Sequence, residues 1–366
     1  MRPKIVFVMS GNFPPRTVKR INDFISRGYE VCVNAFQRED ALPNLPFSYN
    51  VVGTLDSRMS YIRRLPILMK GIKLVIKKYN NENNVLYYAF GLDCAMILMF
   101  YQHRHQYIFE ESDLMHTYIN NPIIRIGLER IDRLTIRKSL ITVLTSEGFA
   151  KYHFGSFVPQ NVCFIPNRLA KNVLECPTIA KNVQGVSHLS IGFVGRVRFR
   201  SILFFAKHIL ERYPQHNIHF FGSVSEEDVE KFKELESFPN CYFHGSYTTP
   251  IDLPQIYSQI DIVLSTYDTD FENVRYAEPN KFYEYIYFET PIIVSQDTFL
   301  GEKVLKYNTG YVVNPYEKDS LYAFIDGLSD KDIQSKVRSI KELPKDFSIN
   351  DTNSFFVSLE RLTDNK

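Results

Sequence analysis

Short, almost wholly apolar runs recur along the whole chain, with stretches of helical length between them. They fall at Ile5–Met9, Val31–Ala35, Leu86–Ala89, Tyr107–Phe109, Leu140–Leu144 and Val162–Ile165. A second series follows at Leu189–Val194, Ile218–Phe221, Cys241–Phe243, Ile262–Leu264, Pro291–Val294 and Tyr311–Val313. Strands covered on both faces read as continuous apolar runs, whereas half-exposed strands alternate. The intervening segments are long enough for the helical crossovers that parallel strands need. Two such series predict an α/β chain with two doubly wound, Rossmann-like domains. A length of 366 residues suits two domains at ~100–200 residues each. We read residues 1–175 as the first, 176–345 as the second and 346–366 as a closing helix. That helix carries Phe355, Phe356, Leu359 and Leu362 at helical spacing and is expected to pack back on the first domain.

Composition removes several classes. Hydrophobic residues at 45% and charged residues at 23% exclude a disordered chain and a disulfide scaffold. Five scattered cysteines without a C-x-x-C pair read as reduced thiols, and no metal site is expected. The apolar runs Ile5–Met9 and Cys94–Tyr101 fall far short of the ~20 residues a membrane span needs. The expectation is a cytoplasmic protein that touches a membrane only peripherally.

The formal net charge of +2 conceals an asymmetry. Residues 1–180 hold 23 Lys and Arg against 14 Asp and Glu, and residues 181–366 hold 20 against 27. A basic first half suits an anionic partner. Residues 57–81 concentrate that charge in Arg58, Arg63, Arg64, Lys70, Lys73, Lys77 and Lys78, with no acid. Ile62, Leu65, Met69, Ile72 and Ile76 share one helical face there, and Pro66 suits a first helical turn. We read the apolar stripe as packing on a sheet, and Arg63, Arg64, Lys77 and Lys78 as facing an anionic membrane surface.

Two loops of the first half follow predicted strands and so face the crevice where open α/β sheets bind ligands. One is Ser10-Gly11-Asn12-Phe13-Pro14-Pro15-Arg16. It lacks the G-x-G-x-x-G fingerprint, which argues against a nicotinamide dehydrogenase. Gly11 and Asn12 are donor-side candidates there, and Arg16 an acceptor-side one. The other is Phe109-Glu110-Glu111-Ser112-Asp113, whose carboxylates suit a general base (Glu110) or binding of acceptor hydroxyls (Glu111, Asp113). Solvated loop charge is the plain alternative for this cluster.

In the second half, Gly192-Phe193-Val194-Gly195-Arg196 is followed closely by Arg198 and Arg200. A glycine turn with cations at a helix start suits a diphosphate. Further on stands Glu278-Pro279-Asn280-Lys281-Phe282-Tyr283-Glu284-Tyr285. Pro279 reads as a first helical residue, Lys281 adds a cation near the helix tip, and Glu284 lies on the same helical face. Phosphates at the tip and ribose hydroxyls at the carboxylate would match a nucleoside diphosphate. An exposed Lys–Glu pair is the plain alternative. The Asp-x-Asp stretch Asp268-Thr269-Asp270 does not read as a metal site.

These segments resemble the family 4 (group 1) glycosyltransferases of the GT-B fold, of the bacterial surface-polysaccharide kind. Pro15–Arg20 with Gly28–Val31, Thr145–Phe149, and Ile165–Asn167 resemble that family's first domain. Gly192–Arg196 and Pro279–Tyr285 resemble its donor-binding core. The family's Glu-x7-Glu pair is met at Glu284, while Tyr276 stands at the first position and Glu278 is out of register. Ser201 stands where a second cation is usual, and Phe90 where a His is frequent.

The resemblance implies transfer of a sugar from a UDP- or GDP-sugar to a growing surface polysaccharide, with retention. The acceptor would be carried on a polyprenyl diphosphate at the inner membrane face. Arg196 and Lys281 would stabilise the leaving diphosphate, and domain closure would exclude water. No metal, no other cofactor and no nucleic acid enter this reading. Two alternatives stand beside it: a sugar-nucleotide epimerase of the same fold and a non-catalytic sugar-nucleotide binder.

Overall fold

The computed structural model describes residues 2–11, 13–38, 44–56, 59, 61–177, 179, 180 and 185–364. Asn12 and Arg58 lie outside the described residues. The chain forms two compact units, one of Met1–Pro166 with Asp351–Lys366 and one of Asn167–Asn350. The change of unit thus comes at Asn167 rather than at 176, and the return at Asp351 rather than at 346.

In the first unit, seven strands form one sheet. They are β1 (Lys4–Met9), β2 (Val31–Gln37), β3 (Tyr49–Thr54), β4 (Val85–Phe90), β5 (Gln106–Glu111), β6 (Ile141–Leu144) and β7 (Val162–Phe164). Their order is β3-β2-β1-β4-β5-β6-β7, and every pairing is parallel. β1 is central and nearly solvent-free, as its unbroken apolar run predicts. The sequence reading missed β3. It is a half-exposed edge strand (Tyr-Asn-Val-Val-Gly-Thr) with one neighbour, so it lacks the apolar run of a buried strand.

Helices α1 (Pro15–Ser26), α2 (Tyr61–Tyr79), α3 (Leu92–Tyr101), α4 (Pro122–Lys138) and α5 (Glu147–Phe154) make the crossovers. Their starts are written locally. Asn121 caps α4 by accepting from the backbone N–H groups of Ile123 and Ile124, and Ser146 caps α5 through Gly148. Leu65, Met69, Ile72 and Ile76 of α2 pack into the core on one sheet face, and its exposed cations point outward. Pro66, expected in the first turn, sits inside α2, which begins at Tyr61.

The second unit has a six-stranded parallel sheet of β8 (Ser190–Val194), β9 (Asn217–Phe221), β10 (Cys241–Gly245), β11 (Ile262–Ser265), β12 (Ile292–Ser295) and β13 (Gly310–Val313). The order is β10-β9-β8-β11-β12-β13. Its helices are α6 (Arg200–Arg212), α7 (Val229–Phe232), α8 (Leu253–Ser258), α9 (Glu272–Tyr276), α10 (Lys281–Tyr287), α11 (Phe299–Tyr307), α12 (Lys318–Asp326) and α13 (Asp330–Lys341). The strand order reverses direction at β8/β11, where an open sheet leaves a crevice beyond its strand ends.

The last helix, α14 (Asn353–Asp364), belongs to the first unit. Its Phe355, Phe356 and Leu359 are buried against Ile21 and Phe24 of α1, with the Phe24 and Phe356 rings 4.8 Å apart edge to face.

Candidate active site

The second unit gathers a polar cluster beyond the carboxyl ends of β8, β9 and β10, at the switch point. Gly195 ends β8 with φ +143°, and Gly222 ends β9 with φ +131°. Their backbones pass so closely that a Cβ on Gly222 would stand 1.9 Å from the Gly195 carbonyl oxygen. A Cβ on Gly195 itself would lie 3.3 Å from Lys281 Cε, so the glycine turn and the lysine are neighbours.

Lys281 is the first residue of α10 and is 7% exposed. Its Nζ donates to Glu284 Oε2 at 2.8 Å and to the Tyr247 hydroxyl at 3.2 Å. Glu284, 2% exposed, also accepts from Asn280 Nδ2 at 3.0 Å and from the Tyr257 hydroxyl at 3.1 Å. Burial opposes the Lys281 ammonium, but the Glu284 carboxylate and the Tyr247 hydroxyl outweigh it and raise its pKa. Lys281 is therefore a fixed positive charge in a dry setting. A carboxylate offers about four acceptor positions, and Glu284 uses three of them here.

The arginines divide in role. Arg196 is exposed beside Gly195 and donates from Nε to Ser225 Oγ at 3.0 Å. Arg198 is exposed and lies over the Phe199 ring at 5.0 Å. Arg200 is drawn to carboxylates, with its Nη2 2.6 Å from Asp270 Oδ2. Asp268 accepts from the backbone N–H groups of Arg200 and Ser201 and from the Tyr316 hydroxyl. A carboxylate at the start of α6 satisfies the free N–H groups there. The Asp-x-Asp match is thus accounted for by helix capping and by the pairing with Arg200.

Glu278 does not join the cluster. It is buried and accepts from Lys303 Nζ of α11 at 3.0 Å and from the Tyr283 hydroxyl. That ion pair ties the segment just before α10 to α11. α10 spans only seven residues, so the positive charge at its start is chiefly that of Lys281 itself.

In the first unit the acidic stretch behaves differently from a solvated loop. Glu110 and Glu111 are the last residues of β5, and each is 1% exposed. Glu110 accepts from Arg20 Nε at 2.9 Å and from the Tyr88 hydroxyl, so its charge is met inside the fold. Its Oε1 has no hydrogen-bond partner. Glu111 lies 3.0 Å from His153 Nε2, and His116 Nδ1 lies 3.1 Å from Asp132.

Glu111, Asp132 and His153 each bring one donor atom within 4.8 Å of the others. Burial, with Asp132 bonding in opposition, pushes Glu111 up to about 8, and burial beside Glu111 pushes Asp132 up to about 7. The contacts of Glu111 with His153 and of Asp132 with His116 join these side chains in one buried hydrogen-bonded network. Asp113 stays at the surface, 3.6 Å from Arg16. Gly11 is buried, and the Arg38 guanidinium fills the space a Cβ would take there.

Of the donor-side residues read from the sequence, Gly195, Asn280, Lys281 and Glu284 stand together, with Arg196 next to Gly195 in the chain. Arg200 and Glu278 instead pair with Asp270 and Lys303, and Gly11 belongs to the first unit. Sequence reasoning missed Tyr247 and Tyr257. They enter from the segment after β10 and from α8, and no spacing pattern points to them.

Comparison with known proteins agrees with this architecture. Residues 188–331 match the family described as Glycosyl transferases group 1. No curated protein matches. Among solved structures, sucrose-phosphate synthase from Thermosynechococcus elongatus superposes with a TM-score of 0.69 at 13% identity, over 99% of this chain and 98% of that one. HepE from Anabaena, solved with UDP-glucose, gives a TM-score of 0.66 at 13% identity, over 100% and 99%. A proposed UDP-N-acetylglucosamine 2-epimerase from Listeria monocytogenes gives 0.63 at 13% identity, over 100% and 98%. The chain has the GT-B fold, and its second unit matches the group 1 glycosyltransferase family.

Proposed function

We propose that the protein transfers a sugar from a nucleoside-diphosphate sugar to a surface-polysaccharide acceptor carried on a lipid diphosphate. The observation that carries this reading is the buried Lys281 ammonium beside the Gly195 turn, at the switch point of the second sheet. When the bond between sugar and diphosphate breaks, negative charge builds on the departing phosphate. A cation held in advance in a dry site stabilises that charge without reorganising. Lys281 and Arg196 take this role, and no metal is needed for it. Glu284 receives a ribose hydroxyl at its remaining acceptor position while it keeps Lys281 oriented. Retention of configuration belongs to the same reading.

UDP-sugars are the first donors to test, because HepE, of the same fold, was solved with UDP-glucose. The acceptor is assigned to the basic first unit, at the inner face of an anionic membrane, where the exposed Arg63, Lys77 and Lys78 of α2 meet the lipid headgroups. Calorimetry with UDP, GDP and their sugars tests the donor site. Saturable binding with a base preference supports it, and absence of binding to every nucleotide overturns it.

The Listeria fold relative supports a second reading, a sugar-nucleotide epimerase. An epimerase converts the donor with no acceptor present, whereas a transferase releases nucleoside diphosphate only as fast as acceptor is glycosylated. Incubation of donor alone separates the two.

A further inference from the structure

Helices α2, α3 and α4 cover one face of the first sheet, and their inward side chains share one core with β1, β4 and β5. Their outward side is chemically one-sided. Arg63, Lys70, Lys73, Lys77 and Lys78 of α2 and Arg130, Arg137 and Lys138 of α4 are exposed. None of the acids on these helices is exposed: Asp93 and Asp132 are buried, and half-buried Glu129 is paired with Arg133.

Large apolar side chains stand among these cations. At the start of α4, Ile123 is 80% exposed, Ile124 48% and Ile126 50%, with exposed Tyr118 just before them. Leu134 of α4, Leu74 of α2, and Phe100 and Tyr101 at the end of α3 are exposed on the same three helices. At 100° per residue, Ile123, Ile126, Arg130, Leu134, Arg137 and Lys138 form one outward stripe along α4. Three exposed isoleucines within four residues are not the scattered apolar surface of an ordinary soluble face.

We propose that α4 inserts Ile123 and Ile126 into the headgroup–acyl boundary of an anionic bilayer, with Ile124 at the rim of the inserted face and Arg130, Arg137 and Lys138 against the lipid phosphates. This rests on the membrane-surface reading above and adds the apolar anchor, which that reading lacked. The charge pattern selects the occupant. A second copy of this chain would bring the same cations face to face and repel them. A bilayer instead presents a broad anionic plane over an apolar interior, which matches cations spread over α2 and α4 around an isoleucine cluster. The acceptor lipid would then lie in the membrane into which α4 is seated.

The chain contains no Trp, so a single introduced indole reports its own surroundings. Ile123→Trp in the full-length protein is compared with Val357→Trp, an exposed position on α14. Both are mixed with phosphatidylglycerol–phosphatidylcholine vesicles and with pure phosphatidylcholine vesicles. The expected result is a blue shift and reduced iodide quenching at position 123 on the anionic vesicles only, and no change at 357. In a cosedimentation assay, the triple variant Ile123→Ser, Ile124→Ser, Ile126→Ser should lose about tenfold or more in vesicle partitioning, because transfer of apolar area drives insertion. Its far-UV circular dichroism and its thermal unfolding should match those of the wild type, which shows that the first unit, where the three substitutions lie, is folded.

Wild-type partitioning by the triple variant, or an unshifted indole at 123 on vesicles that do bind the protein, overturns insertion and leaves the α2 charge reading in place. Failure of the wild type to bind anionic vesicles overturns both. A wild-type dimer in sedimentation that the triple variant dissolves assigns the patch to self-association and overturns the proposal. None of these outcomes bears on whether the second unit binds a nucleotide sugar.

Discussion

At the residue scale, the Lys281–Glu284 pair has a chemistry that single substitutions resolve. Both side chains are buried and bonded to each other, so removal of either leaves the other charge unmatched. Lys281→Ala is expected to lower kcat by a factor of ~100 or more, because it removes a cation that stabilises the leaving phosphate. Steady-state kinetics read this directly, and near-wild-type kcat rejects the role. The Glu111–Asp132 pair makes a different prediction. Burial raises both pKa values, to about 8 and about 7, above those of exposed carboxyls. The folded state therefore binds more protons than the unfolded state between the two sets of values. The stability this supplies is complete below about pH 4 and is lost as pH rises through about 7 to 8. A Tm that falls between pH 6 and 9, with a flatter slope in Glu111→Gln, is the expected result. A Tm independent of pH in the wild type contradicts it.

At the scale of elements, α14 is the informative one. It follows the second unit in the chain and packs in the core of the first, with Phe355, Phe356 and Leu359 against α1. Phe356 is 1% exposed and touches Phe24 and Tyr29. Phe356→Ala should destabilise the first unit by about 3–5 kcal/mol, the usual cost of a Phe→Ala cavity in a packed core. Denaturant unfolding followed by tyrosine fluorescence measures it, and a loss below about 1 kcal/mol would mean that α14 is only loosely seated. The helix spacing of these apolar residues was legible in the sequence. Its partner on α1 was not, because Phe24 lies more than 300 residues earlier in the chain.

At the scale of the whole molecule, the two units differ in how the chain builds them. The second is one continuous segment, Asn167–Asn350, with its own sheet, its own cores and every member of the Lys281 cluster. The first is made of two segments closed by α14. A fragment of residues 167–350 should therefore fold alone and bind the same nucleotide as the full chain by calorimetry, within about tenfold in Kd. A fragment that folds by circular dichroism yet binds no nucleotide, where the full chain does, would assign part of the donor site to the first unit.

Local spacing and capping are what the amino-acid order determined without help. Largely apolar runs marked twelve of the thirteen strands among the described residues, because most of these strands have both faces covered and admit few polar residues, such as Asn34 and Thr142. β3 escaped because an edge strand is half wet and reads as a loop. Lys281 and Glu284 were legible as a pair because three residues on a helix bring two side chains onto one face. Only the tertiary structure decided what meets them. Tyr257 reaches Glu284 across 27 positions and Tyr247 reaches Lys281 across 34, through the order and register of parallel strands, which no short motif records. The same holds for Glu110. Read along the chain it is one of three carboxylates in a loop after a strand, and a candidate general base. In the fold, Arg20 from 90 positions earlier turns it inward and neutralises it. Apolar periodicity is a property of neighbours in sequence, whereas the protonation and partners of a buried charge depend on which distant elements the sheet places beside it.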